Sequence, residues 1–235
     1  MTDHTTKAYD QDIATLKSQL AEMGGFAEEQ LARAIQALAK RDIVLADQVI
    51  ANDQKLDDLE RQIEEKAIRT IAKRQPMASD LREIMVAIRI SSDIERIGDL
   101  AKNTAKRAHA ISEALPRKLA TGLTRMGTMA QAQLTQVLDA YARRDDEKGL
   151  AVWRSDEDLD SLYNSIFREL LTYMMEDPRN ISMCTHLLFG AKNLERIGDH
   201  TTNIAENIHF LVHGKPIIEG RPKNDVTSMM RPSDD

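Results

Sequence analysis

The stretch Glu95-Arg96-Ile97-Gly98-Asp99 returns unchanged as Glu195-Arg196-Ile197-Gly198-Asp199. The offset is 195 − 95 = 100, and the likeness runs on through Asn103/Asn203, Ala105/Ala205 and His109/His209. Upstream the match continues at 126 − 23 = 103, pairing Met23-Gly24 with Met126-Gly127, Gln30-Leu31 with Gln133-Leu134 and Arg41-Asp42 with Arg144-Asp145. Asp53, Leu56 and Asp57 pair with Asp156, Leu159 and Asp160 at the same offset. The three-residue difference falls near Pro76 and Pro178, where a loop absorbs it at little entropic cost. Such self-similarity makes the chain two copies of one structural unit.

Each copy reads as three helices. Leu16, Leu20, Met23, Ala27, Leu31, Ala34 and Leu38 recur at helical spacing between Tyr9 and Lys40. Gly24-Gly25 weakens that helix by roughly 1 kcal/mol per glycine, which implies close packing, a bend or a short break. Asp42 is the expected N-cap of a second helix, whose stripe of Val49, Leu56, Leu59, Ile63 and Ile71 ends at Pro76. Ser79 or Asp80 caps a third, expected to run to about Leu115, and Pro116 opens the second set. The expected fold is all-α: two tandem three-helix bundles, six long helices, related by internal pseudo-symmetry. The units span residues 1–115 and 116–213, and a polar tail rich in Gly and Pro, 214–235, is expected to be disordered.

Charged residues make up 30% of the chain and aromatics only 4%, with eleven methionines. That profile suits long amphipathic helices better than a sheet. The net charge of −6 argues against nucleic acid or anionic lipid as the main partner, although Arg69, Lys73 and Arg74 form a local basic group. A single cysteine, Cys184, excludes an intramolecular disulfide and fits a reducing compartment. Its neighbours Met183 and Leu187 mark it as a buried, inert thiol. Residues 1–10 lack the apolar core of a signal peptide, and no apolar run is long enough to span a bilayer. The expected location is the cytoplasm, without membrane insertion.

Four residues advance a helix by about 400°, a drift of about 40°. Glu95, Asp99 and Asn103 therefore line one face, and Glu195, Asp199 and Asn203 line its twin. Asp53/Asp57 and Asp156/Asp160 make similar acidic pairs on the preceding helices. Leu56, Leu159, Ile94, Ile97 and Ala101 beside them should face the core, which puts the acidic rows at the bundle's edge. Like charges at i, i+4 destabilise a helix, so the rows require arginines such as Arg96 or Arg196, or a cation. Gly98 and Gly198 would let a backbone or ligand approach closely. Oxygen ligands on adjacent helices suit iron, manganese, magnesium or calcium, while the thiolate and paired-histidine spacings of structural zinc are read as absent. The alternative is a solvated acidic face with no metal.

Together these features resemble the PhoU family, bacterial phosphate-transport accessory proteins built from two three-helix repeats that each bear Glu/Asp-x-x-x-Asp motifs. The strongest carriers are Leu194 to His200 with Asn203-Ile204-Ala205-Glu206, and Ile94 to Ala105 in the first half. The resemblance covers nearly the whole chain, from about Tyr9 to Val212. It implies a cytoplasmic regulator that restrains phosphate uptake and holds the starvation response off when phosphate is plentiful. The implied partners are the phosphate sensor histidine kinase and the ATPase subunit of the phosphate ABC transporter, with a homodimer as the assembly. Some members bind multinuclear metal clusters, iron above all, with manganese, magnesium or zinc left open. The matching positions are Asp53, Asp57, Glu95, Asp99, Asp156, Asp160, Glu195 and Asp199. Ser92-Asp93 against Lys192-Asn193 implies that the two sites differ in charge.

The enzyme alternative is a carboxylate-bridged di-iron oxidase, which builds its site from Glu-x-x-His on two helices. Glu206-x-x-His209 fits, but Lys106-x-x-His109 breaks the pair. No nucleophilic set or phosphate-cradling loop is present, and catalysis is not expected. His109 and His209 are read as helix-end cations, His200 as exposed, Trp153 as interhelical packing, and Met174-Met175 as the one methionine pair suited to a binding surface.

Overall fold

The computed structural model describes residues 2–111 and 115–218, and the part of the expected tail from residue 219 onward lies outside them. The chain is all-α: α1 (Thr2–Lys40), α2 (Ile43–Asn52), α3 (Gln54–Arg74) and α4 (Ser79–Ala110) form the first unit. The second is α5 (Arg117–Arg143), α6 (Asp146–Glu176), a 3-10 turn (Pro178–Asn180) and α7 (Ile181–His213). Helix α1 packs on α3 and α4, and α6 packs on α5 and α7. The two units join through α4 against α7 and α1 against α5, around one continuous apolar core.

Corresponding turns are built alike. Asp42 caps α2 by accepting from Leu45 N at 3.0 Å, and Asp145 caps α6 by accepting from Lys148 N at 3.0 Å. Before each cap stands an arginine in the left-handed region, Arg41 at φ 55° and Arg144 at φ 53°. Glycine would adopt that conformation with less strain, but the arginine side chains make tertiary bonds. Arg41 Nε donates to Ile111 O at 3.1 Å, and Arg144 pairs with Glu83 of α4 at 2.5 Å. Lys17 of α1 takes the same Glu83 oxygen at 2.8 Å. Burial pushes the Glu83 carboxyl up, yet these two cations hold it below the usual glutamate range.

Three expected boundaries move. Helix α1 begins at Thr2, well ahead of Tyr9, and runs unbroken through Gly24-Gly25. Helix α4 stops at Ala110, short of Leu115, because Ile111 turns extended and its carbonyl is taken by Arg41. The single second helix is interrupted at Asp53, where Leu56 N bonds to Asp53 O at 2.9 Å, a tighter i→i+3 link. Asp53 keeps helical angles (φ −57°, ψ −40°), so the axis continues; in α6 the matching Asp156 lies within an uninterrupted helix.

The glycines at the α1–α5 crossing lie directly under side chains of the opposite helix. A Cβ on Gly24 would lie 2.8 Å from Leu138 Cδ1, and one on Gly127 would lie 2.6 Å from Ile35. Gly24 corresponds to Gly127 and Ile35 to Leu138 at the 103-residue offset, so one contact is made twice, in exchanged roles. Gly25 has nothing within 4 Å and borders a cavity of about 440 Å³ between α1 and α5.

Candidate functional site

Helices α2, α3 and α4 bring the first acidic row together. The Lys102 ammonium of α4 lies between two of its carboxylates, bonded to Asp53 Oδ2 and, at 2.6 Å, to Asp99 Oδ1. Arg96 reaches Glu95 and Asp99 at 3.4 Å each. Asp53, Asp57, Glu95, Asp99 and Asn103 are all half-buried, which agrees with a row at the bundle's edge. Burial first, and then the Asp99 charge, pushes the Glu95 carboxyl up to about 7. Asp57 is raised by burial and by Asp53. Glu60 of α3, absent from the expected set, is raised by burial and by Glu64 while accepting a bond from Ser92.

The second row sits deeper than the sequence implied. Asp156, Asp160 and Glu195 are only 1%, 3% and 4% exposed, whereas Asp199 and Asn203 are half-buried. Lys192 Nζ donates to Glu195 Oε1 at 2.9 Å and lies over the Tyr163 ring, 5.0 Å from its centroid. Burial raises Glu195 to about 7 against the opposing pull of Lys192, and the Asp199 charge adds to the rise. Each row thus holds one ammonium, on a different helical turn: Lys102 corresponds to Thr202, whose hydroxyl bonds Asp199 O at 2.7 Å, and Lys192 corresponds to Ser92. Both Gly98 and Gly198 admit a leucine. A Cβ on Gly98 would overlap Leu56 Cδ1, and one on Gly198 would lie 2.5 Å from Leu159 Cδ2 and 2.7 Å from Asp156 Oδ1. The close approach belongs to the facing helix of the same unit.

This donor set fits a hard or borderline cation. Its oxygens come from two facing helices, and at Glu95 and Glu195, where burial first and the neighbouring Asp99 or Asp199 charge after it raise the carboxyl to about 7, a cation would favour the ionised form. An incoming ion would compete with Lys102 in the first row and with Lys192 in the second. Neither lysine was assigned from the sequence, although each lies three residues from a row carboxylate, the spacing at which opposite charges meet on a helix.

Several smaller expectations change. His200 is not exposed; its Nδ1 meets Asp93 Oδ1 at 2.9 Å, and Asn203 Nδ2 donates to the same oxygen at 3.2 Å, linking α7 to α4. His109 and His209 face carboxylates on neighbouring helices, Asp47 and Asp146, each at 3.0 Å. The reading that paired-histidine spacing is absent fails, because His209 and His213 are four residues apart and both reach Asp146. Glu206 accepts from Trp153 Nε1 at 3.1 Å while His209 faces Asp146, so the Glu206-x-x-His209 pair is engaged with separate partners. Trp153 is buried between α6 and α7, Cys184 is buried, and Met175 is exposed. In the basic group, Arg74 is bonded to Asp12 at 3.0 Å. Among the described residues no helix is long and apolar enough to cross a membrane.

Comparison with known proteins places this geometry. The PhoU domain family matches residues 20–108 and again 123–208. A phosphate-specific transport system accessory protein PhoU homolog of Rhizobium meliloti is 56% identical over 228 residues, covering 97% of this chain and 96% of that protein. A homolog of the same description from Caulobacter vibrioides is 54% identical over 229 residues, covering 97% of this chain and all of its own. Among solved structures, PhoU from Pseudomonas aeruginosa superposes with a TM-score of 0.85 at 39% identity, covering 88% of this chain and 100% of that one. The phosphate transport system regulatory protein PhoU from Streptococcus pneumoniae gives 0.83 at 27% identity, covering 89% and 99%. Two family matches in one chain, each carrying one acidic row on its facing helices, agree with the internal repeat: the chain belongs to the PhoU family.

Proposed function

We propose that this protein is a cytoplasmic accessory regulator of phosphate transport. It restrains the high-affinity phosphate transporter through the ATPase subunit and holds the sensor histidine kinase response off when phosphate is sufficient. The observation that carries this reading is the near full-length likeness to phosphate-specific transport system accessory proteins. It extends over both units and both acidic rows.

The rows supply the working surface. Asp53, Asp57, Glu95, Asp99 and Asn103 would hold one cation or cluster, and Asp156, Asp160, Glu195, Asp199 and Asn203 another, iron being the first choice from the family likeness. Bound metal would supply a positive centre able to accept a partner's carboxylate or phosphate oxygen. The chain's own residues set the conditions: Lys102 and Lys192 compete for the carboxylates, Arg96 screens Glu95 and Asp99, and the helix pairs fix the spacing. The half-buried first row is the more accessible docking face, and the deeper second row is the more enclosed.

The test is a pair of binding titrations, against the purified cytoplasmic portion of the sensor kinase and against the transporter ATPase subunit, with and without iron or manganese, alongside an Asp99→Ala/Asp199→Ala double variant. Metal-dependent binding that the variant loses is the expected result. Binding indifferent to both metal and variant would keep the regulator and remove the rows from its mechanism. Failure to bind the kinase or the transporter ATPase under any condition would overturn the proposal.

A further inference from the structure

At the end of the second unit, ten residues ahead of Asp156 on α6 and six beyond Asn203 on α7, three side chains from two helices converge. Asp146 is the first residue of α6, and His209 and His213 lie one turn apart at the end of α7. His209 Nδ1 meets Asp146 Oδ1 at 3.0 Å, and His213 Nε2 meets Asp146 Oδ2 at 2.8 Å. The ring centroids are 4.6 Å apart, and one ligand atom from each residue falls within 4.8 Å of the others. We infer that Asp146, His209 and His213 form a binding site for a borderline divalent transition-metal ion of the zinc class, independent of the acidic rows.

The chemistry is specific to that class. Two imidazoles and one carboxylate suit zinc, nickel, cobalt or copper and disfavour magnesium or calcium, which take oxygen ligands. In a tetrahedral site, metal–ligand bonds of about 2.0–2.2 Å put neighbouring donor atoms about 3.3–3.6 Å apart. The observed separations of 2.8 and 3.0 Å lie a few tenths of an ångström below that range. An ion replaces the bridging protons with shifts of a few tenths of an ångström, which the half-exposed His213 (48% side-chain exposure) is free to make. That exposure also leaves a coordination position open to water or a partner's side chain.

A helix-end role does not account for the pair. Arg82 already serves the end of α7, with Nη1 donating to Leu211 O at 3.5 Å, while both histidines turn toward α6. Nor is the cluster part of the repeated motif, because the corresponding positions of the first unit hold Ile43, His109 and Glu113. A metal here would fasten the start of α6 to the end of α7.

The experiment is isothermal titration of zinc into chelator-treated full-length protein, comparing wild type, His213→Ala and the Asp99→Asn/Asp199→Asn double variant. The expected result is a zinc site retained in the double variant and weakened at least about tenfold in His213→Ala, since even residues that only orient metal ligands cost that much. His213 lies at the exposed end of α7, and circular dichroism checks that the variant is folded. A readout free of any variant is the imidazole NMR signals of wild type, where those of His209 and His213 should shift with the first equivalent of zinc. Unchanged affinity in His213→Ala, loss of all zinc binding in the double variant, or unmoved His209 and His213 signals would each overturn the assignment.

Discussion

Lys102 Nζ lies 2.6 Å from Asp99 Oδ1, an ammonium set inside the row of carboxylates that the sequence offered to a metal. It is bonded to Asp53 as well, so it ties α4 to the point where α2 gives way to α3. The first prediction concerns this lysine. Lys102→Met keeps the chain length and removes the charge, leaving Asp53 and Asp99 to repel one another. Metal-free variant should lose about 1–3 kcal/mol in chemical denaturation, and manganese affinity should rise about tenfold or more. Calorimetry showing unchanged manganese affinity would mean that the lysine and the metal do not share these oxygens.

Gly127 and Gly25 should respond to alanine in opposite directions. At Gly127 the new methyl meets the β-branched Ile35 side chain on three atoms, none farther than 2.8 Å. Overpacking of this kind costs about 1–3 kcal/mol. Gly25 faces open space, so Gly25→Ala should stabilise the protein by about 0.4–1 kcal/mol through the unfolded chain and helix propensity. Urea midpoints of the two variants decide it, and equal effects would contradict the packing described for the crossing.

Asp12 accepts from Lys66 at 2.6 Å and from Arg74 at 3.0 Å, clamping α1 to α3. The Lys66 hydrogen bond leads in holding its carboxyl below the usual aspartate range, against a smaller opposing effect of burial and with help from Arg74. A carboxyl depressed in the folded state adds stability above its unfolded pKa, about 3.9, and that stability is lost as pH falls through the folded value. Asp12→Asn should therefore cost about 1 kcal/mol at neutral pH, discounted for solvent screening. The difference between variant and wild type should close in strong acid. A gap in thermal stability that stays constant from pH 7 down to pH 2 would show that the charge is not what matters.

Cys184 is fully buried, and burial raises its thiol above the ordinary range. Thiolate is the reactive form, so a disulfide reagent should leave native protein unmodified and react with one equivalent after denaturation. Prompt modification of native protein would place the α7 start in frequent local opening.

The elements were legible because the repeat and the 3.6-residue apolar stripe are properties of the chain itself. Leu56, Leu159, Ile94, Ile97 and Ala101 are all in the core, as their spacing implied. The rows of Glu95, Asp99 and Asn103 and their twins were legible for the same reason, being local to one helix. Contacts between helices were not. The Asp93–His200 link and the convergence of Asp146 on His209 and His213 depend on how helices far apart in sequence are set against each other. Depth was also hidden: the two rows share a motif, yet Asp156, Asp160 and Glu195 are buried where Asp53, Asp57 and Glu95 are not. Lys102 is legible in the sequence, since it stands three residues after Asp99, just as Arg96 stands three before it.

The crossing of α1 and α5 has a consequence for assembly. Gly24 is the hollow for Leu138, and Gly127 is the hollow for Ile35, so each half presents both a knob and the socket that receives its counterpart. A surface of that kind is self-complementary about a twofold axis. Each socket receives a different side chain, Leu138 at Gly24 and Ile35 at Gly127, so the two halves are matched to one another within a single chain.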